Sequence, residues 1–376
     1  MAERKVEPRL QELWNKGVSV YSFSKLSSIE ECLYGAYLTY IKRQKGKDSC
    51  YSLAGSATHD VLEKITLGFA TEEDLLPTIQ TTLDELEILG LPFPKDRKGG
   101  DTIRDGWVAD MEYFCKHYVK PKGKFETEKF FLYETDESVF LQGYLDLIQL
   151  HKDGTISIYD YKTSSMFTKE ELPHKARQLV IYALAEEQEG REVKKVAWIM
   201  LKFSKVDFVG KKTSRSVKES EISKVIENKK IVEELEKHIV YKLEQLGYDE
   251  VDIECIMVKA KEENEIPKEV ADQFKVRPYV MEYEITEEVK QECIDWINKT
   301  AKMWESLDKD KKYNYPPRKF TRTQKNGKEV QDVFFCTQLC NFRETCEYIK
   351  EYNMMNAEAY KKKKDNNDID DEDLFG

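Results

Sequence analysis

No run in this chain approaches the roughly 18 apolar residues of a membrane span, and residues 1–10 are charged, without the apolar core of a secretory signal. A membrane role is not expected; a cytoplasmic protein is, in the host cytoplasm if phage-encoded. Cysteine is sparse: eight in 376 residues is far below the density of a disulfide-stapled secreted domain. Disulfides are therefore not expected, and the grouping of the cysteines matters more than their number. The Walker A pattern G-x-x-x-x-G-K-[ST] is missing, so any ATP-driven motor belongs to another chain. No internal repeat is evident. An excess of positive charge is missing too: 71 Asp+Glu against 60 Lys+Arg give a net charge of -11, which on its face speaks against a polyanionic partner.

The length fits one large domain or two modest ones. A 40% hydrophobic fraction suffices for a core, while 35% charged residues exceed the usual ~25% and predict long solvated helices or insertions. After an extension over 1–18, residues 19–46 read as a helix capped by Ser22 or Ser24, carrying Cys32 and the apolar positions Leu26, Ile29, Leu33 and Tyr37. A second helix is expected after a Gly55-Ser56 turn, with His59 and Glu63 four apart on one face. Residues 70–120 read as a helical cap. The period then changes: 125–133, 139–150 and 155–161 are β-rich runs joined by polar turns, a three-stranded meander. A helix over 169–189 and a strand over 195–203, apolar enough to be buried on both faces, follow. Residues 204–275 read as a charged surface insertion of helices, 279–285 as a strand and 287–307 as an amphipathic helix. Residues 351–376 read as a disordered tail, Lys-rich and then acidic.

The chemistry concentrates in Gly143-Tyr-Leu-Asp146 and Asp160-Tyr-Lys162. Two neighbouring strands each carry a carboxylate, which places both within reach of one divalent cation, and Lys162 shares a strand face with Asp160. Hard oxygen ligands, a cation that keeps its waters and a nearby ammonium are what phosphodiester hydrolysis needs. His59 precedes this pair and Gln178-x-x-x-Tyr182 follows it. In that order the four elements resemble the RecB-like branch of the PD-(D/E)xK nuclease superfamily. The resemblance implies an α/β fold, a restriction-endonuclease-like core with a mixed central sheet flanked by helices, here with a helical cap and a helical insertion. It further implies that His59, Asp146, Asp160 and the carbonyl of Tyr161 hold Mg²⁺ or Mn²⁺, that Lys162 is the catalytic lysine, and that Gln178 and Tyr182 orient it or contact DNA phosphate. Glu63 reads as an outer-shell acid or a solvated one, and Glu126 or Glu128 as an extra acid near the metal. His117, His151, His174 and His238 are left as core or surface histidines.

Cys336, Cys340 and Cys346 lie within eleven residues, and three thiolates need a fourth to close a tetrahedral or cubane site. Cys32, 27 residues before His59, is the candidate. This layout is similar to that of AddB-like nuclease subunits and CRISPR-associated RecB-like exonucleases, which implies a [4Fe-4S] cluster; the x3 spacing of the first pair differs from the usual x2 and keeps zinc, or no metal, as alternatives. Cys50, Cys115, Cys255 and Cys293 read as small buried hydrophobes.

The net charge hides its distribution. Residues 194–230 hold eleven Lys+Arg against four Asp+Glu, and 311–328 seven against none, interleaved with Tyr313, Tyr315 and Phe320. Basic residues among aromatics suit a single-stranded nucleic-acid track, although a Lys-rich segment is often only a solvated face. The acidic, apolar-tipped end resembles the tails of single-stranded-DNA-binding proteins. The expectation is a metal-dependent deoxyribonuclease, an exonuclease rather than an endonuclease, on single-stranded or end-containing DNA in recombination, repair or phage DNA processing. Its expected partners are a helicase, a recombinase or a single-stranded-DNA-binding protein. The alternative is a non-catalytic DNA-binding or scaffold subunit that retains the nuclease fold.

Overall fold

The computed structural model describes residues 7–96, 98–211, 219–323 and 327–366, the last ten without their side chains. The chain forms two compact units, one from residues up to 23 together with 50–298, the other from 24–49 together with 299 onward. The second unit joins two segments far apart in sequence.

In chain order the elements begin with α1 (Pro8–Asn15), β1 (Val20–Tyr21), α2 (Phe23–Glu31) and α3 (Leu33–Ala36), then α4 (Cys50–Leu67), α5 (Leu75–Ile88) and α6 (Thr102–His117). The meander is β2 (Lys124–Glu134), β3 (Phe140–Leu150) and β4 (Ile156–Lys162), followed by α7 (Leu172–Gln188) and the long β5 (Val193–Gly210). Then come β6 (Ser220–Glu227), α8 (Ile231–Gln245), α9 (Glu250–Glu263), β7 (Phe274–Tyr283), α10 (Glu287–Ser306), β8 (Thr321–Thr323), β9 (Glu329–Gln331) and α11 (Glu347–Asn366).

Seven strands of the first unit make one mixed sheet, ordered β1-β3-β4-β5-β6, with β2 added on β3 and β7 on β5. β3 is antiparallel to β2 and β4, whereas β4 and β5 run parallel, joined by α7 as a crossover. Val196, Ala197, Trp198, Met200 and Leu201 are buried, as expected of a central strand. The hydrophobic faces of α4, α5 and α6 pack Leu62, Ile65, Ile79, Leu86 and Met111 against Leu147, Tyr161 and Leu201 of the sheet. No described helix is long and apolar enough to cross a membrane.

Five expectations are corrected. Gly55-Ser56 is not a turn: α4 runs through it from Cys50 to Leu67, held by the burial of Cys50, Ala54, Thr58, Val61, Leu62 and Ile65 along one face. The 19–46 helix is broken at Cys32, which is extended and caps α3 through a Gly35 N–H to Sγ bond of 3.3 Å. Residues 204–275 are not surface helices alone. They continue β5 and add β6, and Val206, Ile226, Ile231, Leu235, Ile239 and Phe274 bury a core of their own. Their Lys/Glu-rich composition concealed this because only one face of each element is apolar. Cys255 is exposed on α9, unlike the buried Cys50, Cys115 and Cys293. Residues 351–366 continue α11 rather than forming a disordered tail; the acidic end, 367–376, lies outside the described residues.

Candidate active site and the cysteines of the second unit

The antiparallel register of β3 and β4 matches Leu147 with Tyr159, so Asp146 and Asp160 occupy the next rung. α4 brings His59 to the same place: its Nδ1 lies 3.2 Å from Asp146 Oδ2. The Tyr161 N–H donates to that oxygen at 3.4 Å. Lys162, two residues beyond Asp160 on the same face, places Nζ 2.6 Å from Asp160 Oδ2. Lys162 also donates to Gln178 Oε1 at 3.2 Å, and Gln178 Nε2 donates to the Tyr182 hydroxyl at 2.7 Å. All of the residues expected of the nuclease centre thus meet in the first unit. Tyr182 is buried, which favours orienting Lys162 through Gln178 over touching a substrate.

The electrostatics divide the two carboxylates. Burial raises the Asp160 pKa to about 6 despite Lys162, with the charge of Asp146 adding to the rise. Burial acts on Asp146 in the same direction, but the hydrogen bond and charge of His59 outweigh it and hold its pKa below the ordinary value. On His59, burial opposes the charged ring, and Asp146 more than offsets it, so the pKa is raised. Among the described residues no three His, Cys, Asp or Glu side chains converge as a ready-made ligand set. Asp146 and Asp160 are engaged by His59 and Lys162 instead. The donor types nevertheless suit a hard divalent cation: the Asp146–His59 pair lies near enough to Asp160 for their charges to act on it, and Asp160 Oδ2, fully buried, makes a close ion pair but no aligned hydrogen bond.

Cys32, Cys336, Cys340 and Cys346 all lie in the second unit, near enough for their charges to act on one another, although among the described residues no three of them form a ready-made ligand set. Burial, followed by the charges of Cys340 and Cys32, pushes the Cys336 thiol up to about 11. Cys340 and Cys346 are likewise raised, first by burial and then, against backbone N–H groups that pull the other way, by Cys32. Backbone amides point at the sulfurs: Gly35 and Arg318 N–H to Cys32 Sγ at 3.3 and 3.4 Å, Phe342 N–H to Cys340 Sγ at 3.4 Å. The segments are tied together around them. Lys47 N–H donates to Asn341 O at 2.8 Å, and the Arg343 guanidinium donates to the carbonyls of Lys47 and Asp48 at 3.0 and 2.8 Å.

The basic segments are less available than their composition implied. Lys195 pairs with Glu282, Lys229 with Asp110 and Lys230 with Glu227, while 212–218 lie outside the described residues. In 311–328, Tyr315 is fully buried and Phe320 packs against Tyr352; Tyr313 is 76% exposed. Residues 324–326 are outside the described set.

A family model of the PD-(D/E)XK nuclease superfamily matches residues 20–347. The chain belongs to that superfamily. No curated protein sequence matches it. For a PD-(D/E)XK chain, the site also contains residues that sequence reasoning passed over. Ser52, Ser56 and Asp60 line a cavity of about 470 Å³ with His59, Glu63 and Glu128. Starting α4 at Cys50 would have revealed them, since 52, 56, 59, 60 and 63 share a helical face.

The structure also separates Glu126 from Glu128. Glu126 Oε2 accepts from Arg191 Nη1 at 2.9 Å in a network that includes the buried Glu186. Glu128 lies opposite Asp146 in the β2–β3 register, with φ of 47° interrupting the ladder between Thr127 and Lys129. A non-glycine residue held there costs on the order of 1–3 kcal/mol, and such strain gathers at functional positions. Lys129, bound to Glu186 at 2.8 Å, anchors one side of the kink.

Gly143 has a packing reason: a Cβ there would lie 2.7 Å from the Phe131 ring, whose neighbour is Tyr182 at a centroid distance of 5.7 Å. Gly143→Ala is therefore expected to push Phe131 into Tyr182 and disturb the Gln178–Lys162 bond, at a stability cost of about 1–3 kcal/mol. Cleavage kinetics should show a lower kcat with little change in KM, partly restored by adding Phe131→Leu. Wild-type kcat in Gly143→Ala would disprove this chain of positioning contacts.

Proposed function

We propose that this superfamily member is a RecB-like, divalent-metal-dependent deoxyribonuclease, an exonuclease on single-stranded or end-containing DNA in recombination, repair or phage DNA processing. The observation that carries the reading is Lys162 held between Asp160 and Gln178 beside the Asp146–His59 pair. His59, Asp146, Asp160 and the Tyr161 carbonyl would hold Mg²⁺ or Mn²⁺, which when bound supplies Lewis acidity and positive charge where the phosphodiester reacts. Lys162, its ammonium aimed by Asp160 and Gln178, offsets negative charge developing on phosphate oxygen or orients the attacking water. Tyr182 holds the Gln178 amide in the orientation that presents its oxygen to the lysine. Exonuclease polarity and partners such as a helicase, recombinase or single-stranded-DNA-binding protein rest on the branch that the motifs resemble.

For the second unit we infer a [4Fe-4S] cluster on Cys32, Cys336, Cys340 and Cys346, with zinc the other occupant to test. Four neighbouring thiols, one buried and three half-buried, repel one another once ionised, and a shared metal centre would convert that repulsion into binding. Amides directed at sulfur support the reading, because such bonds tune metal–thiolate centres. The deciding assay incubates linear DNA, labelled at either end, and covalently closed circles with Mg²⁺ or Mn²⁺ and with a chelator. Metal-dependent loss of linear DNA with circles spared is expected. Equal cutting of circles would remove the exonuclease assignment; no cleavage of either would leave the non-catalytic DNA-binding or scaffold reading.

A further inference from the structure

A chain of ion pairs runs from β2 to the C-terminal end of α7. Glu186 is fully buried, and Lys129 Nζ meets both of its carboxylate oxygens at 2.8 and 2.9 Å and Glu189 at 2.6 Å. Arg191 pairs with Glu186 and, at 2.9 Å, with Glu126. Glu126 and Lys129 are three residues apart, an odd separation that sends the side chains of a regular strand to opposite faces. Here both reach the same Glu186–Arg191 pair, and the break in alternation between them is Glu128, at a φ of 47°. Glu128 lines the cavity that holds His59, and its charge, after burial and the charges of Asp160 and Asp146, raises the Tyr182 pKa. Its carboxylate therefore acts on the same centre as the two motif carboxylates. Replacing a buried ion pair by apolar residues of like volume is often neutral for stability, and the best-attested use of such a pair is to fix register.

We propose that Lys129, Glu186 and Arg191 are positioning residues that hold Glu128 in its left-handed conformation, with the carboxylate at the His59 cavity. The inference rests on the nuclease reading of the Asp146–Asp160–Lys162 centre and adds to it a third acid and the device that aims it. Lys129 and Glu126 are tied on the two sides of the kink, so the strand is held short of regular alternation at one residue. Released from Lys129, Glu128 relaxes to the extended conformation of its neighbours, because a positive φ is unfavourable for a non-glycine residue, and the carboxylate leaves the cavity.

The test uses the full chain. Lys129→Met leaves Arg191 paired with Glu186 and so keeps the buried carboxylate compensated. In chelator, Glu128→Gly should melt a few degrees above Glu128→Ala, since glycine takes a positive φ without strain; in the Lys129→Met background the order should reverse, since glycine in a regular strand costs more than alanine. Both substitutions remove the carboxylate, so the comparison reads backbone strain and needs no cleavage. In cleavage assays Lys129→Met should lower kcat about tenfold with KM nearly unchanged. Lys129→Arg should restore most of it, and Lys129→Met added to Glu128→Gln should cost nothing further. Glu126→Gln, at the more exposed end of the chain of pairs, releases the other side of the kink and carries the same comparisons where Lys129→Met does not fold. The same order of melting in both backgrounds would overturn the device, as would wild-type kcat in Lys129→Met or losses that multiply in the double variant. Absence of metal-dependent cleavage by the wild type would overturn the nuclease reading and the catalytic use of Glu128, while the melting order would still decide the kink.

Discussion

Asp160→Ala is expected to lower metal-dependent DNA cleavage on the order of 10³-fold or more in kcat/KM, the scale of losing a principal electrostatic group in an active site. Asp160 is 1% exposed and sits between Asp146 and Lys162, so its removal takes one carboxylate from the ligand set and the partner that aims the ammonium. Asp160→Asn separates chemistry from folding. The folded carboxyl titrates at about 6, whereas an unfolded one titrates near ~3.9. Its contribution to stability is thus fully present below about pH 4 and is lost as pH rises through about 6. In chelator at pH 7, Asp160→Asn should melt higher than wild type, by on the order of 2 kcal/mol or a few degrees, while remaining inactive. Melting curves from pH 4 to 8 check the sign, and a variant within tenfold of wild-type activity would sink the catalytic assignment.

Cys32→Ser should have the largest effect on stability. Cys32 approaches Cys336, Cys340 and Cys346 from the other end of the chain, and the second unit is built from those two distant segments. A structural metal contributes folding free energy directly, and closing so long a loop is otherwise entropically costly. Wild-type protein prepared without oxygen should be brown, with absorbance near roughly 400 nm, the colour of thiolate-bound iron–sulfur. Cys32→Ser should lose the colour and most of the iron and melt about 10 °C lower. Cys255→Ser, at an exposed cysteine on α9, should change neither. Colourless wild-type protein with one zinc would replace iron–sulfur by zinc; colourless protein without metal would remove the centre altogether.

The motif residues were legible because each sits on a regular element with its own period. Asp146, Asp160 and Lys162 follow strand alternation on adjoining strands, and Gln178 and Tyr182 are one helical turn apart. Gly55-Ser56 misled for a physical reason. Small residues mark turns in isolation, but here the apolar face on either side of them, from Cys50 and Ala54 to Val61 and Ile65, is buried and carries the helix through. The basic segments misled differently: their charges are counted along the chain, whereas the acids that pair with them, Asp110 and Glu282 among others, come from distant elements.

Composition, element order and the ordered His59, Asp146, Asp160-x-Lys162 and Gln178-x-x-x-Tyr182 pattern were enough to reach the superfamily, since local periodicity and residue chemistry need no knowledge of long-range contacts. Packing supplied the rest: Glu128 rather than Glu126 at the cavity, and a buried Tyr315 where a stacking surface was expected. Those outcomes depend on strand register, backbone strain and which face another element covers. Each is a property of pairs of segments, and none is encoded within either segment alone.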